Sequence, residues 1–135
     1  MAKQVGQTEG DESVEFRTWD VLNGEFSPDG VEEAGWDLVL DKGTFDAVSL
    51  SEEKDEQGRR VYEGYGGRVV RMLKTGGRFL VTSCNWTETE LVLWFEGKGG
   101  ERGKLKQVGR IEYPSFSFGG VKGQTISTSC FEKVA

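Results

Sequence analysis

Two short apolar runs in this chain give way abruptly to polar residues, and any chemistry it supports should begin there. In WDLVLDKGTFDAVSL (residues 36–50), Leu38, Val39 and Leu40 lead into Asp41, and Asp46 follows. In RFLVTSCNW (residues 78–86), the apolar residues lead into Asn85 and Trp86. Ligands of open α/β sheets bind in the crevice outside the carboxyl ends of the strands, so a carboxylate, an amide and an indole are offered where a ligand would sit. A further acidic strand end, Asp20 beside Val21, closes the stretch VEFRTW. Two aromatics, Phe116 and Phe118, stand in the late loop YPSFSFGG.

The chain contains no histidine. A Ser-His-Asp triad, a Cys-His nucleophile and a His-ligated zinc or iron site are therefore excluded. The two cysteines, Cys84 and Cys130, are too few for a four-thiolate metal centre, so no metal is expected. Both read as reduced packing residues. What remains is chemistry by carboxylates, amides, hydroxyls, tyrosine, lysine or a bound cofactor. Each candidate also has a structural use. Asp20 can be a solvated strand end, and Asp46 a surface residue. Asp41 can pair with Lys42 or cap the helix that starts near Thr44. Trp86 can staple onto Leu91 ahead of a Thr87 cap. Phe116 and Phe118 can simply cover the end of a sheet.

At 135 residues the chain is one domain or part of one, and 36% hydrophobic with 30% charged residues suits a modest core. A net charge of −6 argues against nucleic acid as partner. No apolar run approaches the roughly 20 residues that cross a bilayer, and the polar start MAKQVGQTEGDES lacks a signal-peptide core. Cytosol or nucleus follows by default, and a cytoplasmic location is expected.

Alternation predicts a strand over residues 14–19, and the apolar run at 37–40 predicts a parallel strand. A short helix is expected over 44–50 and a solvated charged loop over 51–60. Val61, Tyr62, Tyr65, Val69, Met72 and Leu73 recur at helical spacing, with Lys74-Thr75-Gly76-Gly77 as the helix stop. A strand over 78–82 follows, then a helix over 88–95 opened by the capping-box spacing of Thr87 and Glu90. Strands over 105–113 and 125–131, with no helix between them, should pair antiparallel.

Parallel α/β units finished by an antiparallel pair are typical of seven-strand S-adenosylmethionine (SAM)-dependent methyltransferases, and four segments carry the resemblance further. WDVL (19–22) looks like the acidic turn after that family's third strand. DLVLDKGTFDAVSL (37–50) resembles the fourth strand and loop of protein methyltransferases with a DKGT-type signature. GGRFLVTSCNWTETEL (76–91) is similar to the fifth strand and following helix of the lysine methyltransferases that modify translation elongation factor 1-alpha. YPSFSFGG (113–120) looks like their final hairpin loop.

The resemblance implies a SAM-dependent protein-lysine N-methyltransferase acting on elongation factor 1-alpha, with no metal, nucleic acid or membrane partner. It implies a partial Rossmann-like seven-strand methyltransferase fold, lacking the first two strands and ending in an antiparallel hairpin. Neither the family's E-x-G-x-G-x-G loop nor its ribose-binding acidic strand end has a counterpart here. Residues 1–13 then read as a polar leader or helix remnant, and residues 14–135 as a partial methyltransferase domain. In the family's strand order, 3-2-1-4-5-7-6, the strand at 37–40 is left with an open apolar edge, and the one at 14–19 docks elsewhere or hangs free. A truncated form with much of its cofactor crevice missing is not expected to be active alone. The alternatives are a non-catalytic protein-binding module on a degenerate methyltransferase fold, and a methyltransferase for another substrate.

Carried over residue by residue, the resemblance gives Asp20 the adenine amine and Val21 the adenine face, with Leu40 and Asp41 as further cofactor contacts. Asp41 and Asn85 would orient the incoming amine. Asp46 and Trp86 would contact the substrate, and Phe116 and Phe118 would wall a lysine channel. Lys42, Gly43 and Thr44 would shape the turn. Methyl transfer to a neutral lysine needs alignment, exclusion of water and prior loss of a proton, none of which requires histidine.

Overall fold

The computed structural model describes residues 14–26, 35–97, 103–112 and 126–135, with the backbone at 117–118 and 121–122. Its elements are β1 (Trp36–Lys42), α1 (Thr44–Leu50), a 3₁₀ turn (Val61–Gly64) running into α2 (Tyr65–Met72), and β2 (Leu73–Ser83). Then come α3 (Glu88–Phe95), β3 (Lys104–Ile111), β4 (Ser117–Phe118), β5 (Val121–Lys122) and β6 (Ser127–Val134). Four strands form one mixed sheet in the order β1-β2-β6-β3, while β4 and β5 make a separate two-stranded ribbon. β1 and β2 are parallel, and β6 runs antiparallel to both β2 and β3. The expected closing antiparallel pair is present.

Side chains alternate across a strand, so register assigns them to faces. Phe79 and Val81 of β2 lie beside Phe131 and Ser129 of β6, all buried under the helices. Phe95 of α3 packs 5.4 Å from Phe79 and 5.6 Å from Phe131. Tyr65 of α2 lies 6.5 Å from Phe79, and Phe45 of α1 lies 5.3 Å from Tyr65 and 4.9 Å from Phe95. All three helices thus share one face and one aromatic core. Alternation sends Leu38, Leu40, Leu80 and Cys130 to the opposite face, which none of these helices covers.

Three local outcomes differ from or refine the sequence expectations. Residues 14–19 form no strand, and Val14, Phe16 and Trp19 are exposed. Alternation favours extended backbone, yet a strand exists only where a neighbour completes its hydrogen bonds. The Lys74–Gly77 stretch is not a helix cap but lies inside β2. There Trp36 pairs with Leu73 and Leu38 with Arg78, so the intervening residues loop out of register. Gly76 takes φ 88°, and a Cβ on Gly77 would sit 2.6 Å from the Trp36 carbonyl, so both glycines serve the strand crossing. The α3 start is as expected: Thr87 Oγ1 accepts from Glu90 N at 3.2 Å, and Glu90 Oε1 accepts from Thr87 N at 2.9 Å. Among the described residues, no helix is long and apolar enough to cross a membrane.

Candidate functional site

The carboxyl ends of β1 and β2 lie side by side, with Lys42 paired to Thr82. At the β1 end Asp41 is 5% exposed. Gly43, at φ 94°, turns the chain so that the first N–H groups of α1 face back toward that carboxylate. Asp41 accepts from Thr44 N at 2.9 Å and Phe45 N at 3.1 Å, and the Tyr65 hydroxyl donates to it. Burial first, and the Asp41 carboxylate second, push the Tyr65 phenol well above its ordinary value. Asp41 therefore joins β1, α1 and α2, which is the capping use its position allowed.

The β2 end is tied to α1 by a polar clasp. Asp46 accepts from Ser83 Oγ at 2.5 Å and from Cys84 N at 2.9 Å. Ser83 Oγ in turn accepts from Asn85 N at 3.1 Å and Trp86 N at 2.9 Å, which folds the SCNW turn. Ser49 completes the clasp, donating to the Asp46 carbonyl at 2.9 Å and accepting from Trp86 Nε1 at 3.1 Å. The Trp86 ring packs 5.0 Å from Phe45, 6.1 Å from Tyr62 and 5.8 Å from Trp94. Asn85 is exposed at the mouth of the turn. Ser83 and Ser49 were not singled out in the sequence. The one available signal was parity, since Ser83 is a small hydroxyl on the same inward face as Phe79 and Val81.

Asp20 and Val21 sit elsewhere, moored on α2. Asp20 accepts from Leu22 N at 2.9 Å and Asn23 N at 3.3 Å, and these donors, in that order, hold its carboxyl below the usual range. Arg68 of α2 donates to the carbonyls of Val21 at 2.7 Å and Gly24 at 2.6 Å, and stacks over Phe26 at 4.5 Å. Burial, with the charge of Arg71 behind it, lowers the Arg68 pKa. Leu40 is 67% exposed on the sheet face opposite Asp41. The four residues expected to contact a cofactor therefore do not converge. Asp41 is engaged with α1 and Tyr65, Asp20 closes its own turn, and Leu40 faces away, so the described residues do not by themselves cradle a nucleoside. Phe116 lies outside the described residues, as does the Phe118 side chain. Among the described residues, no three His, Cys, Asp or Glu side chains are grouped to hold a metal.

A cavity of about 290 Å³ opens beside the clasp, between the start of α3 and the β3–β6 pair. Glu88, Arg110, Ile111 and Ser127 line it, and Ser127 is the register partner of Ser83. Arg110 donates to Glu88 at 2.8 Å and to Glu112 at 2.5 Å. The Gln107 amide first, and Arg110 after it, lower the Glu88 pKa.

No family model matches the chain. It is 41% identical over 134 residues to the Saccharomyces cerevisiae protein-lysine N-methyltransferase EFM4, covering 98% of this chain and 54% of that protein. It is 33% identical over 135 residues to the human EEF1A lysine methyltransferase 2, covering 99% of this chain and 51% of that protein. A Schizosaccharomyces pombe protein-lysine N-methyltransferase efm4 is 43% identical over 97 residues, 72% of this chain and 38% of that protein. The chain spans about half the length of the first two of these curated relatives.

Proposed function

We propose that this chain belongs to the EEF1A lysine methyltransferase family and serves SAM-dependent N-methylation of lysine on elongation factor 1-alpha, in the cytoplasm. The observation that carries the reading is the junction of two parallel strand ends. The β1 and β2 loops are clasped through Asp46 and Ser83, and the clasp presents Asn85 at the crevice where α/β proteins bind ligands. The sheet order β1-β2-β6-β3 equals the 4-5-7-6 stretch of the seven-strand methyltransferase order. It supports reading residues 14–135 as a partial domain of that fold, with the polar leader at 1–13 ahead of it.

In this reading Asn85 accepts a hydrogen bond from the incoming amine and orients it. Asp41 and Asp46 act as positioning residues, the first through α1 and Tyr65, the second through the SCNW turn. Trp86 lines the lysine path from its aromatic packing, and Phe116 and Phe118 wall it. Because the described residues make no nucleoside cradle, Asp20, Val21 and Leu40 meet the cofactor only within a more complete site. That same observation favours a second reading, a protein-binding module without catalysis.

Calorimetric titration with S-adenosylhomocysteine and a methylation assay on elongation factor 1-alpha separate the two. Both are run on this chain and on the chain joined to the portion that it lacks relative to the yeast protein. One-to-one binding and lysine methylation by the joined form are expected. Failure of the joined form to bind, together with capture of a protein partner by the chain, would replace the enzyme reading with the module.

A further inference from the structure

We propose that the cavity between the start of α3 and the β3–β6 pair is a specificity subsite, which takes an arginine or lysine side chain near the lysine to be methylated. The proposal rests on the methyltransferase reading above and adds the kind of substrate sequence that suits it.

The cavity has two kinds of surface. Ile111 and Ile126 supply apolar walls, 50% and 42% exposed. The rim carries Glu88, Arg110 and Glu112, two carboxylates to one guanidinium. Glu88 is engaged on both oxygens, by the Gln107 amide at 3.1 Å and by Arg110 at 2.8 Å, and in that order these donors keep it ionised. Arg110 is shared between the two acids, so one negative charge is left over. It rests on Glu112, whose side chain is 74% exposed and, among the described residues, meets Arg110 through one oxygen only.

That lining selects the occupant. Lysine and arginine lay an aliphatic stem along apolar surface and keep the charged head in a polar rim. An apolar side chain would fit the walls and gain nothing from the carboxylates. A carboxylate or phosphate would be repelled by them, in a chain whose net charge is already −6. At about 290 Å³ the space lies at the small end of ligand cavities, room for one side chain.

Register sets the spacing. Asp41, Val81, Ser129 and Arg110 form one row across the helix-covered face, and in the next row Ser83 stands beside Ser127. Ser83 folds the turn that presents Asn85, and Ser127 lines the cavity. Neighbouring strands are about 4.8 Å apart, so a cavity over β6 and β3 lies one or two spacings, about 5–10 Å, from that turn. An extended peptide advances about 3.3 Å per residue, which puts the basic residue about two or three positions from the lysine at Asn85.

The test uses this chain joined to the portion that it lacks relative to the yeast protein. Its substrates are synthetic peptides, each with one lysine in a Gly-Ser host and one arginine at a chosen offset. Steady-state methylation is measured, and so is binding of the same peptides, labelled with fluorescein, by anisotropy. Arginine two or three positions from the lysine should lower KM and Kd about fivefold or more against the arginine-free peptide, the worth of one good ion pair, with kcat unchanged. Glu112→Lys should erase that advantage and favour glutamate at the same offset, while the arginine-free peptide is handled as before. A merely structural loss would slow every peptide alike. Asp37→Lys, the same reversal at the amino end of β1, should keep the preference for arginine. Equal handling of all offsets, no peptide binding, or an arginine advantage that survives Glu112→Lys would each overturn the inference. Arginine-dependent binding without methylation sinks the enzyme reading alone, whereas methylation indifferent to arginine and to Glu112 sinks this one alone.

Discussion

Replacing Asp41 tests whether the β1 loop is built on one carboxylate. Asp41→Ala removes the acceptor for the Thr44 and Phe45 N–H groups and strands the hydroxyl of Tyr65, which is 3% exposed. Loss of a helix cap costs about 1 kcal/mol. A buried hydroxyl left without its partner costs about 1–3 kcal/mol more. The sum, about 2–4 kcal/mol, is a large share of the roughly 5–15 kcal/mol that holds a domain together. Asp41→Asn keeps an acceptor toward α1 and lets the Tyr65 hydroxyl accept from the new amide, so its cost should be nearer 1 kcal/mol. Tyr65→Phe should cost a similar amount, and a double-mutant cycle with Asp41→Ala should show coupling of about 0.5–3 kcal/mol because the pair shares one hydrogen bond. Urea titration followed by circular dichroism and tyrosine fluorescence reads all of these. If Asp41→Ala shifts stability by less than about 0.5 kcal/mol, the usual effect of a surface change, the reasoning fails.

The clasp, the turn on α2 and the strand crossing make further expectations. Asp46→Ala should lower the melting temperature and speed hydrogen exchange of the Cys84 amide that donates to it, while Asp46→Asn should recover part of both. Equal behaviour of the two variants would count against the clasp. Asp20 titrates below an ordinary aspartate, so its contribution to stability is present above the unfolded pKa and is lost as pH falls through the lower folded value. A carbon-detected NMR titration that places its midpoint at or above the ordinary value would refute this. Thr87→Ala should cost about 1 kcal/mol by removing the α3 cap, as measured by urea titration. Gly77→Ala must push a methyl against the Trp36 carbonyl at 2.6 Å and should cost about 1–3 kcal/mol, with faster exchange of the β1 amides.

Much of the local architecture could be read from residues that act on near neighbours. Thr87 and Glu90 are three positions apart, and the reciprocal capping box formed as their spacing required. The short helix after Gly43 and the antiparallel closing strands followed from composition and from the lack of a helix between the strands. The misreadings arose where a local preference depended on a distant partner. Val14, Phe16 and Trp19 alternate as a strand should, yet none of the described strands pairs with them. Lys74-Thr75-Gly76-Gly77 has the chemistry of a helix stop. The pull of β1 pairing on both sides of it made it an irregular part of β2 instead.

The candidate site divides the same way. The absence of histidine, the carboxylates of Asp41 and Asp46 and the resemblance to a family were open to inspection in the sequence alone, because residue type and order carry them. Whether Asp41 faces solvent or the core, and whether Asp46 meets a ligand or Ser83, depended on which elements tertiary packing brought together. A carboxylate turns inward only when folding supplies enough N–H and O–H donors to replace the water it loses. Here those donors come from α1, Tyr65 of α2 and the turn after β2, three places that only the folded chain makes neighbours.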